Sequence, residues 1–171
     1  MSTMPTRRHT DPANPAQPAR LTVGEPGLAI IRRFDPFRPE PYLHRNGYHA
    51  IGYGHRVHPH EIFMLCPPIA RSEAEVLLER DLSPIALYLN ATTRVVLAQH
   101  EFDALVSLIF DIGIRAFERS PLRAFLNKGE SASAVAQIFR FNDSSPARDP
   151  SYPVHLRREA EARLFIGPPA K

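Results

Sequence analysis

One short segment, unlike the helical patterns around it, constrains the fold of this chain most. Between positions 42 and 57 (YLHRNGYHAIGYGHRV), aromatic and branched residues alternate with polar ones. Asn46-Gly47 is a dipeptide that tolerates the positive backbone angles of a tight hairpin turn, and Gly52 and Gly54 interrupt the second half. We therefore predict a small antiparallel sheet of two or three strands. Such a sheet is not stable alone, so it must pack against helices.

Helical patterns occupy most of the remaining chain. Apolar spacing predicts a short helix over 25–34, and a capping box in which Ser72 and Glu75 satisfy each other's backbone amides predicts a long helix over 72–90. The segment 101–111 is apolar on most faces, as expected for the central helix of a core. Further helices are predicted over 120–129, 131–141 and 154–165, with a polar loop over 142–153. The last helix is expected to turn inward Leu156, Ala160, Leu164 and Phe165.

The length and composition predict one folded unit with a flexible start. A chain of 171 residues supports a single core. Residues 1–22 are rich in Pro, Thr and Ala without periodicity, which predicts a disordered leader. The fold is expected over 23–168, of α+β class, with a small lobe at 23–70, the linking helix at 72–90 and a helical lobe at 91–168.

The net charge and the cysteine content limit the classes of partner and the disulfides that we expect. The net charge is +3 and the basic residues are scattered, which argues against a dedicated nucleic-acid binder and is compatible with an anionic polymer. A single cysteine, Cys66, cannot form an intrachain disulfide and is expected to be a small buried residue. No apolar run has the length of a signal peptide core or of a bilayer span, so we expect a cytoplasmic product without membrane insertion.

An ordered series of segments resembles a known family. The chain resembles the phage-type lysozymes, the endolysin family of muramidases that cut the glycan strands of peptidoglycan. The resemblance runs from about residue 23 to residue 167 and is carried by GLAIIRRFD, PYLHRNGYHAIGYGHRV, SEAEVLLERDL, HEFDALVSLIFDIG, SPLRAFLNKGE, AQIFRFN and HLRREAEARLF. It implies a lysozyme-like fold, with the glycan cleft between a hairpin lobe and a helical lobe, and no cofactor.

The resemblance places the family's catalytic trio on three changed residues. A glutamate, an aspartate and a threonine of the family fall by position on Asp35, His44 and Ala50. Asp35 retains a carboxylic acid that can protonate a leaving group. His44 can act as a base toward water, but a neutral imidazole offers no fixed negative charge to a cationic sugar. Ala50 lacks the hydroxyl that positions water, so the site is expected to be weakened.

The resemblance also marks four residues for contact with the glycan. Asp111 stands where the family has a polar amide at the cleft; its alternative role is that of a helix-end acid. Arg157 and Arg158 stand where family arginines face the cleft and contact the catalytic acid; the alternative is a pair of exposed helix charges bound to neighbouring glutamates. Tyr53 is assigned to the substrate site, with packing at the edge of the hairpin as the alternative.

Two further features are weighed as replacements for the lost chemistry. Glu40, between two prolines, could supply a second carboxylate, although a solvated loop acid is the plainer interpretation. Five histidines lie at 44, 49, 55, 58 and 60, and a zinc site is one interpretation of them. No cysteine pair supports zinc, so we predict no metal and a hairpin surface enriched in histidine.

Two functional interpretations stay open at this point. In the first, the protein is a muramidase of weak or unusual mechanism, with Asp35 as acid and His44 as base. In the second, it is a non-catalytic module that binds glycan or is a structural part of a phage particle or secretion apparatus, tethered by the N-terminal arm. Either version would reach the periplasm or cell wall through a holin, a virion or a secretion system.

Overall fold

The computed structural model describes residues 20–44, 47–61, 67–143 and 154–167. The following elements are named in chain order: α1 (Glu25–Phe34), β1 (Arg38–Leu43), β2 (His49–Gly52), β3 (His55–Arg56), α2 (Arg71–Thr92), α3 (Gln99–Ile112), α4 (Ile114–Glu118), α5 (Pro121–Asn127), α6 (Ser131–Ile138), a 3₁₀ turn (Phe139–Asp143) and α7 (Val154–Ile166). The predicted α+β class is confirmed.

Helix α3 is the centre of the core. Every residue from 102 to 109 is buried, and the helix packs against α1, α2 and α7. An unbroken buried run is expected for a helix surrounded by others, because no face of it meets water. Gly113, at φ 83, ends the helix, since this backbone angle suits glycine and few other residues. The central helix predicted from the sequence is therefore confirmed.

The hairpin segment forms a three-stranded antiparallel sheet in the order β1-β2-β3. Tyr42 pairs with Ala50 across the first ladder, and Ala50 pairs with Arg56 across the second. Strand β1 begins at Arg38, four residues before the predicted start, although it contains two prolines. An edge strand accepts proline because one side of it needs no ladder hydrogen bonds. Gly47 has φ 81, as the predicted turn requires, while Arg45 and Asn46 lie outside the described residues.

The start of α2 corrects the predicted capping box. The helix begins at Arg71, and the Glu73 carboxylate accepts a hydrogen bond of 2.7 Å from the Ala70 amide. Ser72 lies within the first turn. Glu75 binds Arg32 of α1 instead, at 2.8 Å. The sequence offers two acids in one turn, and the tertiary contact with Arg32 selects which of them is left to cap the helix.

The inward face of α7 also differs from the prediction. Its buried residues are Arg157, Arg158, Glu161, Ala162 and Phe165, whereas Leu156 is 39% exposed. Apolar spacing did not predict the buried face of α7, because that face consists largely of charged residues. Of the residues expected to face inward, only Phe165 is fully buried, and Ala160 and Leu164 are half-buried.

The chain joins the fold slightly before the predicted boundary. The Leu21 amide donates a hydrogen bond to the Asn90 side chain, and the Thr22 carbonyl accepts one from Gln99. Residues 1–19 of the predicted leader, Cys66, and positions 144–153 of the predicted loop lie outside the described residues. Helix α4 was not predicted. Within the described ranges, none of the helices has the length and apolar character needed to cross a bilayer.

Candidate functional site

A groove of about 280 Å³ lies between the sheet and the helices α2 to α4. The sheet side and the end of α1 supply one wall, α2 supplies a second, and the end of α3 with the start of α4 supplies the third. The lining residues are Asp35, His44, Tyr48, Gly54, Arg56, His58, Asp81, Ile85, Ile109, Phe110, Asp111, Gly113 and Ile114. Three of the residues predicted for the site, Asp35, His44 and Asp111, are therefore brought together in one groove.

Asp35 is held at the edge of the groove by two features. It caps the C-terminal end of α1, where its amide binds the Ile31 carbonyl at 2.7 Å. Its Oδ2 accepts a hydrogen bond of 2.6 Å from Arg157 Nη1, and its side chain is only 6% exposed. Gly54 lies beside it with φ 86, so a side chain at that position would be strained. The predicted pairing of Asp35 with an arginine of α7 is confirmed.

We call Arg157, Arg158, Glu161 and Ser107 the arginine cluster. The Glu161 carboxylate is fully buried and accepts from three donors: Arg157 Nε at 3.0 Å, Arg158 Nη1 at 2.6 Å and Ser107 Oγ at 2.8 Å. Arg157 also donates to the Ser107 carbonyl at 3.1 Å. Buried charges are tolerated when each is paired and hydrogen-bonded. The expectation of exposed helix charges is wrong for both arginines, which are at most 1% exposed.

Asp111 connects the arginine cluster to the third groove wall, at the end of α3. Its Oδ2 accepts a short hydrogen bond from Arg158 Nη2, and its Oδ1 lies 3.9 Å from Arg157 Nη1. Asp111 is the penultimate residue of α3, and its side chain is 7% exposed. The two buried arginines thus bind two carboxylates that line the groove, Asp35 and Asp111.

His44 directly follows β1 and lines the groove. Its side chain is 7% exposed, and its ring stacks on Tyr48 with centroids 4.6 Å apart and planes inclined by 16°. The backbone amide of His44 donates to the Tyr48 carbonyl at 2.7 Å. The hairpin therefore fixes both the backbone and the ring of this residue.

The remaining predicted site residues lie away from the groove lining. Ala50 is fully buried in β2. Tyr53 is 2% exposed, its hydroxyl accepts from Arg71 at 2.9 Å, and its ring packs 5.8 Å from that of Phe37. This is the packing role weighed as the alternative for Tyr53. Glu40 is exposed in β1 and does not line the groove.

A second charge cluster, which was not predicted, has two buried members, His55 and Glu61. We call His55, Asp81, Glu61 and Arg80 the histidine cluster. His55 Nδ1 lies 2.8 Å from Asp81 Oδ2, and its Nε2 lies 3.3 Å from Glu61 Oε2. Arg80 donates to Glu61 Oε1 at 2.6 Å. The partners are 6 to 26 positions apart in sequence, so no local pattern could have revealed them.

Burial and hydrogen bonding compete in setting the charges of this cluster. Burial disfavours the charged form of His55, but the hydrogen bond and charge of Asp81, followed by Glu61, outweigh it and raise the pKa of His55 above 6.5. Burial likewise acts to raise the pKa of Glu61. The His58 amide and the Arg80 guanidinium overcome that effect and lower the pKa of Glu61 to about 2. Both groups are therefore charged in mildly acidic solution.

The other histidines do not assemble a metal site in the described part of the chain. The rings of His58 and His60 stack at 5.6 Å with planes inclined by 14°. No group of three His, Cys, Asp or Glu side chains among the described residues is arranged to hold a metal ion.

The sequence of the chain is similar to those of known phage proteins. The model of the phage lysozyme family matches residues 32–161. An endolysin of Acyrthosiphon pisum secondary endosymbiont phage 1 is 33% identical over 147 residues, which is 85% of this chain and 98% of that protein.

Two solved structures share the fold over most of their length. The muramidase domain of SpmX from Asticaccaulis excentricus is 30% identical, with a TM-score of 0.72 over 87% of this chain and all of that one. A variant of P22 lysozyme is 25% identical, with a TM-score of 0.70 over 85% of this chain and 99% of that one. The predicted lysozyme-like architecture is confirmed by these likenesses.

Proposed function

The chain belongs to the phage lysozyme family, and on that premise we propose that it binds the glycan strands of peptidoglycan and hydrolyses them as a muramidase with much reduced turnover. The observation that carries the proposal is the shared groove. Asp35 and His44 both line it, and Arg157 anchors Asp35 from behind at 2.6 Å. Positioned groups at a bound substrate sustain some catalysis even when the full set is missing.

In the proposed reaction, Asp35 is the acid and His44 is the base. Asp35 gives a proton to the departing glycosidic oxygen, and neutral His44 takes one from the attacking water, whose oxygen bonds to the anomeric carbon. The hydrogen bond from Arg157 to Oδ2 holds the Asp35 carboxyl group in place. The stack of His44 on Tyr48 restricts the imidazole plane from which water is activated.

Three replacements reduce the rate in this proposal. Asp35 reaches about 1.5 Å less far than a glutamate, and a misplacement of about 1 Å costs on the order of a hundredfold in rate. His44 provides no negative charge near the cationic transition state. Ala50 supplies no hydroxyl to orient water, and loss of one polar contact at a reacting centre costs about 3 kcal/mol.

The groove acid Asp111 is assigned to substrate binding. Arg157 and Arg158 act through it and through Asp35, since both guanidinium groups are buried behind these carboxylates. A carboxylate at the wall of the groove can accept hydrogen bonds from the amide N–H of an N-acetylated sugar. Its pairing with Arg158 keeps the acceptor oxygen atoms in place.

A second candidate function is supported by a specific observation. Each carboxylate that lines the groove already has a cationic partner: Asp35 has Arg157, Asp81 has His55 and Asp111 has Arg158. A non-catalytic module that binds glycan, or that serves as a structural part of a phage particle or secretion apparatus, fits such a neutralised site. In that version the N-terminal arm, residues 1–22, would be the tether to the larger assembly.

Both functions imply action at the bacterial cell wall. We propose delivery through a holin-like pore, a virion or a secretion system. The glycan strand is the substrate of the muramidase and the ligand of the glycan-binding module, and the proposal involves neither nucleic acid nor membrane insertion.

Isolated peptidoglycan incubated with the purified full chain separates the two functions. New reducing ends measure hydrolysis, and co-sedimentation measures binding. We expect slow release of reducing ends, lowered at least about a hundredfold by Asp35→Asn with binding retained. Glu40→Gln is the matched control, because it removes an exposed acid of β1 outside the groove lining.

The outcomes are distinct. Binding without any release of reducing ends would favour the non-catalytic module. Loss of hydrolysis in Glu40→Gln, with Asp35→Asn active, would transfer the acid role to Glu40. Absence of both binding and hydrolysis would exclude the muramidase and the glycan-binding module, and only the structural part of a larger assembly would stand.

A further inference from the structure

Five side chains on the hairpin form a continuous row of aromatic and guanidinium contacts. The Arg38 guanidinium lies 4.3 Å from the centroid of the Tyr42 ring, which lies 6.4 Å from that of His44. The His44 ring stacks on Tyr48 at 4.6 Å, and the Arg56 guanidinium lies 5.1 Å from the Tyr48 centroid. His44, Tyr48 and Arg56 line the groove, whereas Arg38 and Tyr42 do not. One end of the row is thus presented to the ligand.

Arg56 differs from the other charged residues of the groove. The acids of the lining are paired with cations, as described above. Arg56 is exposed on β3, and no acid within salt-bridge distance of it is found among the described residues. The groove therefore offers a ligand one positive charge that the protein itself does not neutralise.

The contact with the Tyr48 ring restricts the Arg56 guanidinium to a position in which it can bind a ligand. A guanidinium stacked on an aromatic ring keeps its edge N–H donors available, and less side-chain entropy is lost when they bind. The fork of N–H donors matches the two oxygen atoms of a carboxylate. Cross-strand geometry also supports the arrangement, because Arg56 pairs with Ala50 and is the diagonal neighbour of Tyr48.

We propose that Tyr48 and Arg56 form a subsite for a sugar that carries a carboxylate substituent. Arg56 binds the carboxylate through two N–H donors, and Tyr48 holds the guanidinium in place. The identification of the ligand as a glycan rests on the proposed function. Where the stem peptides have been removed, only one of the two alternating sugars of a peptidoglycan strand bears a free carboxylate, so the subsite fixes the register of such a strand in the groove.

Two soluble glycans of equal length test the subsite. The first is a peptidoglycan oligosaccharide from which the peptides have been removed, so that alternate sugars bear a carboxylate. The second is a neutral oligomer of N-acetylglucosamine. Titration of the full chain should show about tenfold tighter binding of the first glycan, which is the scale of one charge-assisted hydrogen-bonded contact. This preference should decline with added salt.

Arg56→Gln and Arg38→Gln form a matched pair of variants. Both remove an arginine stacked on a tyrosine of the same sheet, but only Arg56 lines the groove. Arg56→Gln should abolish the preference without weakening the neutral glycan, and Arg38→Gln should keep it. Arg56→Lys, which retains the charge without the planar fork, should give an intermediate preference.

The failure of this inference is distinguishable from failure of the proposed function. If the wild-type protein binds both glycans equally, or if Arg56→Gln and Arg56→Lys both keep the full preference, the subsite is wrong and glycan binding stands. If neither glycan binds, the proposed function and the subsite are both wrong. Thermal melting of each variant verifies that a lost preference is not lost folding.

Discussion

Two charge clusters border the same groove, and they are built from different chemical groups. The arginine cluster joins α7 to α3 and combines guanidinium groups with a carboxylate, all at most 1% exposed. The histidine cluster joins the hairpin to α2 and centres on one imidazole between two acids. Arginine stays charged over the whole accessible pH range, whereas histidine does not.

Each cluster holds a different carboxylate of the groove, and the two cations differ in how they respond to pH. The arginine cluster holds Asp35, the proposed acid, in a setting whose cations do not change with pH. The histidine cluster holds Asp81 on the α2 wall through a cation that is lost when His55 gives up its proton. The contributions of the two clusters to the free energy of unfolding should therefore depend differently on pH and on substitution.

The largest effect is expected in the arginine cluster. Arg157→Met leaves Glu161 and Asp35 without their shared cation in a buried site, so the free energy of unfolding should fall by about 3–5 kcal/mol. Denaturant unfolding measures this change. Arg163→Met is the matched control on the same helix, since Arg163 is 83% exposed and its 3.8 Å pair with Glu159 should contribute less than about 1 kcal/mol. Equal effects of the two substitutions would contradict the account.

A smaller effect is expected from Glu61→Gln in the histidine cluster. The pKa of Glu61 is lowered from 4.5 to about 2. Because its partner Arg80 is 56% exposed, we expect the charged form of Glu61 to contribute about 1–3 kcal/mol to stability. Because the folded-state pKa is depressed, this stability is present above pH 4.5 and is lost as the pH falls towards about 2. Unfolding at several pH values should show wild type and variant converging in acid. A constant difference down to pH 2 would contradict the assignment.

The smallest effect, and the one most specific to the comparison, concerns His55. Its folded-state pKa is raised above 6.5, so its contribution is complete below pH 6.5 and is lost as the pH rises through the folded-state value. His55→Asn should cost about 1.5–3 kcal/mol at pH 6, as for hydrogen bonds between charged groups, and less at pH 9. Stability curves over pH 5–9 measure the slope. The Arg157→Met deficit should be unchanged over that range, and a parallel decline in both variants would remove the distinction between the clusters.

The sequence predicted the elements whose signals are local. The hairpin, helix α1 and the central helix α3 were found from alternation, apolar spacing and a terminating glycine. The pairing of Asp35 with an arginine of α7 was predicted from family resemblance, and it could not have come from the sequence pattern, because the two residues are 122 positions apart.

Other features depend on tertiary contacts that no local pattern encodes. Apolar spacing predicts that Leu156 lies on the buried face of α7. That face is charged instead, because the buried Glu161 carboxylate binds the guanidinium groups of Arg157 and Arg158. The cap of α2 was assigned to the wrong acid, because the partner of Glu75 lies on another helix. The histidine cluster was overlooked because Asp81 is one of many acids on a solvated helix until the fold brings His55 to it.

The most direct test restores the residues that the family resemblance implies. The triple variant Asp35→Glu, His44→Asp and Ala50→Thr is compared with the unmodified chain for release of reducing ends from isolated peptidoglycan. If the groove keeps its shape and only the reacting groups have changed, the triple variant should be at least about a hundredfold faster, with glycan binding unchanged. An unmodified chain as fast as the triple variant, or a folded, glycan-binding triple variant without activity, would contradict that claim.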